Sequence, residues 1–301
     1  MRPGEAKGRA LARLELVGSG VSFGLMAVLA RWLSRRPDGF SAGQLSVIRF
    51  AVGIGVSLLA FRLRPGLYRP RDRRRLVFRG LSGGLVVVLY FFALARIPAG
   101  EAGMIYNLFP LLATGMALAT LGERPRSSLW LAVGLATAGV LLALGNGTLR
   151  FGVGLGEASA LGAACFAAVS ANVIRSMRGT DNAPTIFFFF CLVGLPVVLP
   201  FALGPWPGNL AAWGGALVMA LAAFAAQVLM TEAYGTLSVG EAAAWLQLTP
   251  IAQVLLAAIL LGEGVRPAGL AGVLLSVAGV AWASVQAPRA GARAAASREI
   301  L

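Results

Sequence analysis

Polar side chains are scarce in this chain, and the few that fall inside apolar stretches set the chemistry open to it. Two carboxamides, Asn107 and Gln247, each stand three residues before a proline, Pro110 and Pro250. A proline within a helix removes an i to i−4 hydrogen bond and bends it, and residues three or four apart share a helix face. Each amide therefore neighbours the carbonyls freed at a kink, where it either lines a polar cavity or bonds across to another helix. Arg49 is read as the one basic residue inside an apolar span. Its guanidinium can meet a carboxylate bidentately, or tie helices together through backbone carbonyls or a partner such as Glu232. Gln227, Thr231 and Tyr234 follow a three-to-four spacing and form one polar stripe, with Glu232 beside it as the candidate for carrying a proton. Tyr90, Tyr106 and Trp245 add aromatic faces with polar tips, suited to an amino-acid side chain.

This is a set for binding. The chain has no histidine, which excludes a His-ligated metal site and a Ser-His-Asp triad. It has one lysine, Lys7, and no GxxxxGK[ST] loop, so ATP hydrolysis by that route is excluded. No catalytic residue, metal or cofactor is assigned. Cys165 and Cys191 stand far from any CxxC pattern and read as small core residues.

The elements that position these groups follow from composition. Of 301 residues, 58% are hydrophobic and 13% charged, against roughly 25% charged in soluble domains. Apolar runs close to the roughly 20 residues that cross a bilayer recur at 14–33, 41–61, 76–96, 102–121, 128–145, 154–174, 184–203, 212–235, 241–261 and 267–286. Barrel strands alternate polar and apolar, whereas 183–203 and 251–261 are apolar all round. The expectation is an all-α polytopic membrane protein of ten transmembrane helices, the first retained and not cleaved as a signal peptide. Gly20 with Gly24, and Gly80 with Gly84, have the spacing that lets helix backbones approach.

Residues 89–143 recur 140 positions later without a gap. Ala93, Gly100, Glu101, Ala102, Leu108 and Pro110 return as Ala233, Gly240, Glu241, Ala242, Leu248 and Pro250, and Leu121, Gly122, Glu123 and Gly139 as Leu261, Gly262, Glu263 and Gly279. The chain therefore reads as two copies of one unit, 1–148 and 149–301. With the N-terminus inside, nineteen of the 26 basic residues fall in inside segments, the densest run being Arg62 to Arg79. This asymmetry puts both termini in the cytoplasm and argues against nucleic acid as partner of the net charge of +14. Anionic lipid is the alternative for that run. Five spans between equivalent positions invert the second copy relative to the first. Inverted copies supply two arrangements of nearly equal energy, one open to each side, as alternating access requires. Glu101, Glu241, Glu123 and Glu263 read as carboxylates serving helix N-termini.

Two five-helix halves, each with a pattern like Ala93-Leu94, Gly100-Glu101-Ala102, Pro110, Gly122-Glu123 and Gly139, resemble the drug/metabolite transporter superfamily, EamA type. The resemblance covers nearly the whole chain and is similar overall to bacterial aromatic amino-acid exporters. It implies a secondary carrier in the bacterial inner membrane, a monomer that exports amino acids, aromatic and other neutral ones first, or related small metabolites. Tyr90, Tyr106, Asn107, Gln227, Thr231, Trp245, Gln247 and Arg49 are the expected substrate contacts. A drug or metabolite carrier of the same fold, working in efflux or uptake, is the alternative; a lipid enzyme or passive channel is a further one.

Overall fold

In lipid every backbone polar group must be satisfied within the protein, so segments apolar on all sides become helices. The computed structural model describes residues 3–286 except 95, 98, 146–153, 263, 265 and 266. Regular structure among the described residues is entirely helical: α1 (Pro3–Ser34), α2 (Ala42–Leu63), α3 (Arg73–Leu94), α4 (Ala99–Tyr106), α5 (Phe109–Thr120), α6 (Ser127–Gly145), α7 (Leu155–Met177), α8 (Ala183–Val198), α9 (Leu210–Ala233), α10 (Val239–Leu246), α11 (Leu248–Leu261) and α12 (Pro267–Gln286).

Eight helical stretches among the described residues are long and apolar enough to cross a membrane. The sequence reading gives ten; the difference lies in α6 and α12, whose apolar stretches, Ser127–Ala143 and Pro267–Ala283, fall in the shorter class. These two helices lie in backbone contact. A Cβ added to Gly139 would come 2.4 Å from the Ser276 nitrogen, one on Gly272 2.5 Å from that of Ala143, and one on Gly279 2.5 Å from that of Ala136. As one residue number rises the other falls, so the helices run antiparallel. The contacts are also reciprocal, because Ala136 and Gly139 stand 140 positions before Ser276 and Gly279.

The prolines do more than kink their helices. The chain breaks at Asn107–Leu108 and again at Gln247, with Pro110 and Pro250 in the first turns of the helices that follow.

Most helix packing runs between the first six helices and the last six, so the two halves interleave. The main pairs keep their pattern when α1–α6 are exchanged with α7–α12: α1 on α9 matches α7 on α3, α1 on α11 matches α7 on α5, and α2 on α9 matches α8 on α3, while α2 on α8 and α6 on α12 map onto themselves. Gly24 gives α1 its close approach to α11, a Cβ there meeting the Gln253 nitrogen at 2.9 Å, and Gly80 and Gly84 fit against Val193 and Val197 of α8. Cys191 is buried as expected, but Cys165 is exposed on α7 and so is not a core residue; both are free thiols.

Candidate functional site

Charge is sorted into two places along the bundle. One end gathers the α2–α3, α5–α6, α7–α8 and α9–α10 connections and is held by ion pairs. α1 extends well beyond its apolar span, so Arg9 and Arg13 are helical instead of forming a tail. Both donate to the Glu241 carboxylate, Arg13 Nη2 at 2.9 Å, and Glu241 is buried. The cap of α10 is supplied by the Ser238 hydroxyl, which accepts from the Glu241 backbone N–H at 3.2 Å. Glu241 is thus a bridge to α1. Glu123 does act at a helix N-terminus, but that of α10: it accepts from Val239 N–H at 2.9 Å while Arg175 Nε donates to it at 3.2 Å. Glu263 lies outside the described residues, as does the side chain of Glu101.

Asp181, also buried, accepts from the backbone N–H of Arg71 at 2.8 Å and so pins the α2–α3 connection. Glu232 belongs to this end. Arg178 donates to it at 2.6 Å, so its partner is Arg178 and not Arg49.

The middle of the bundle is different. Arg79, grouped by sequence with the basic connection, stands six residues inside α3, about 9 Å along the helix, and is only 4% exposed. Arg49 is therefore not the one basic residue within the spans. The Arg79 guanidinium lies 4.2 Å from the Phe190 ring centroid, and that of Arg49 lies 5.9 Å from the same centroid and 5.3 Å from that of Phe50. Gly83 makes room for the first: a Cβ there would fall 2.3 Å from Arg79 Nη1 and 2.5 Å from the Phe190 ring. Arg49 Nη1 also meets Met26 Sδ at 3.8 Å. Neither arginine has an ion pair among the described residues, and Arg79 Nε is buried without a hydrogen-bond partner.

Tyr106 and Cys191 lie within electrostatic range of both guanidinium groups, and Tyr234 within range of Arg79. Tyr90 joins through Tyr106, ring centroids 5.1 Å apart, and Phe109 extends the aromatic wall at 5.6 Å from Tyr106. The structure thus brings Arg49, Tyr90 and Tyr106 together and adds Arg79, Phe190 and Tyr234.

The other expected contacts are more dispersed. Gln227, Trp245 and Gln247 each keep a buried polar atom without a partner, though Gln247 Nε2 donates to Thr137 of α6 at 2.7 Å. Asn107 turns its amide onto the Gly103 carbonyl at 2.7 Å, and Thr231 bonds the Gln227 carbonyl at 2.7 Å. The stripe on α9 is buried, and Tyr234 has no partner for its hydroxyl. In sequence Arg79 is indistinguishable from a loop arginine, because the Arg73-Arg74-Arg75 run stands beside it. The small residues Gly80 and Gly83 after it were the signal that it enters the packed interior.

A sequence model described as the EamA-like transporter family matches residues 12–145 and again 154–285. The chain belongs to the EamA-like transporter family. EamA membership makes it a multi-span membrane protein of a transporter family, with a small molecule as its substrate. Among relatives, the Pseudopaline exporter CntI of Pseudomonas aeruginosa is 26% identical over 232 residues, 73% of this chain and 80% of that protein. Protein RarD of Streptomyces exfoliatus is 36% identical over 100 residues, 31% of each chain. A solved crystal structure aligns with a TM-score of 0.78 at 21% identity, covering 93% of this chain and 99% of its own, which establishes the shared fold.

Proposed function

We propose that this EamA protein is a secondary carrier of the bacterial inner membrane that exports amino acids or related small metabolites by alternating access. The observation that carries the reading is the exchange symmetry of the packing, centred on the reciprocal antiparallel contact of α6 and α12. A two-fold axis between antiparallel membrane helices lies in the membrane plane, the arrangement of inverted repeats. It supports ten spans in two halves, 1–148 and 149–301. By the positive-inside rule the basic end is cytoplasmic and both termini face inward. The ion pairs there then close the cytoplasmic side.

The central cluster is the substrate site in this reading. Arg49 meets a carboxylate, while Tyr90 and Tyr106 offer apolar faces to the remainder of the molecule. Gln227, Trp245 and Gln247 are further contacts through their unpaired atoms. Asn107 and Thr231, already bonded to their own helices, contribute the shape of the wall. Glu232 is the coupling candidate; its bond to Arg178 has to break for it to take a proton. Similarity to a pseudopaline exporter favours the export direction.

The test is counterflow of labelled amino acids in proteoliposomes of the purified monomer. The expected result is saturable exchange; its pH dependence flattens in Glu232→Gln if that carboxylate couples transport to protons. Uptake linear in concentration, with no counterflow, identifies a channel and sinks the proposal. Counterflow confined to lipophilic cations identifies a drug carrier.

A further inference from the structure

The two guanidinium groups beside Phe190 carry an inference about substrate class, one that rests on the carrier reading above. A lone arginine in a membrane helix can be accommodated by a carboxylate, by backbone carbonyls, or by reaching to the interface. Here there are two, and they face one aromatic ring at 4.2 Å and 5.9 Å. Arg79 makes no side-chain hydrogen bond among the described residues, and its Nε is buried without a partner. Arg49 has a thioether and two rings. A desolvated cation over a ring recovers less than removing its charge from water costs. Two positive charges also repel each other across such a short span. The nearby phenols, Tyr106 and Tyr234, are neutral and cannot balance them. Among the described residues, Glu241, Glu123, Glu232 and Asp181 are engaged at the basic end.

No described carboxylate supplies the compensating charge. We propose that Arg79 and Arg49 together form an anion site, and that the transported molecule carries two negative groups: an acidic amino acid or a related small dicarboxylate. One carboxylate binds at Arg79 and the second at Arg49, the two guanidinium groups that share the Phe190 ring. The buried Tyr234 hydroxyl, which has no partner, is a candidate further donor to the bound anion. Arg79 is answered 140 positions later by Met219, so the charge belongs to one half only. A group required by packing alone has no reason to be cationic at one copy and apolar at the other.

The test compares glutamate with glutamine, which differ by one charge at almost constant shape, and adds succinate and phenylalanine. Binding is read as ligand-induced thermal stabilisation of the purified protein, and transport as counterflow. The expectation is that glutamate and succinate bind about tenfold or more tighter than glutamine. Arg79→Gln and Arg49→Gln should each remove that preference, while Arg79→Lys keeps part of it. Equal affinity for glutamate and glutamine in the wild-type protein overturns the anion site, whether or not the variants fold. Counterflow of phenylalanine with no response to glutamate or succinate does the same and leaves the carrier reading intact. Charge-selective binding without any counterflow keeps the anion site and removes the carrier.

Discussion

The basic end and the middle of the bundle treat the same guanidinium group in opposite ways. At the end, Arg9 and Arg13 share the Glu241 carboxylate, Arg175 holds Glu123, and Arg178 holds Glu232. Each ion pair joins segments far apart in sequence, three of them across the boundary between the halves. In the middle, Arg79 and Arg49 have aromatic rings and no counter-charge among the described residues. In the reading proposed above, burial with a partner makes a lock, and burial without one marks the site that takes a ligand. The contrast therefore separates residues that hold a conformation from residues that read a substrate, and it assigns opposite signs to their substitution.

The largest effect belongs to the lock. Glu241→Gln leaves two partly buried arginines facing a neutral amide, and breaking such a pair costs about 3 kcal/mol or more. A fall of several degrees in the melting temperature of purified protein is the expected outcome; an unchanged melt means the triad contributes nothing. Arg79→Met is the counterpart, using the residue that occupies the equivalent place in the second half. Replacing an uncompensated buried charge by an apolar side chain removes its desolvation cost and is therefore neutral or stabilising. The melt should hold or rise while transport is lost. A large fall in stability would falsify the division between lock and site.

Glu123→Gln comes next. It weakens a partly buried ion pair and a bond to the first turn of α10, together about 1 to 2 kcal/mol. Its sharper readout is conformational, because Glu123 ties the α5–α6 connection to both α7 and α10. A single cysteine at the Tyr106 position should be labelled faster from the cytoplasmic side in this variant than in the Glu123 background. Equal labelling rates argue that closure resides in Glu241 alone.

The sequence made some of this legible and hid the rest for identifiable reasons. Apolar run length and the Gly-Glu and proline positions repeated at a fixed offset were enough for the helices and the family, since lipid leaves few alternatives to a helix. Asn107 and Gln247 stand at helix breaks where spacing suggests only kinks, and the partners of their amides depend on tertiary placement that spacing does not encode. Arg49 was recognisable because it stands alone in apolar surroundings. Arg79 was not, because charge counting along a chain cannot tell the last arginine of a connection from the first residue buried in a helix. Glu241 looked like a helix cap since its position in the first turn fits one; the arginines that claim it lie more than 200 residues earlier.

Tyr234 offers the smallest and cleanest test of where the binding site ends. Its side chain is fully buried and its hydroxyl lacks a partner, although Arg79 lies within electrostatic range. If the hydroxyl exists for packing, Tyr234→Phe should relieve an unpaired polar group and stabilise the protein by up to about 1 kcal/mol. If it donates to a bound anion, the same variant keeps that gain in the absence of ligand and weakens glutamate binding severalfold, leaving glutamine binding unaltered. Measuring melts with and without glutamate separates the two, since only the ligand-dependent part reports the site. A variant that is more stable and equally responsive to glutamate would confine the anion site to the two arginines and the Tyr106 side.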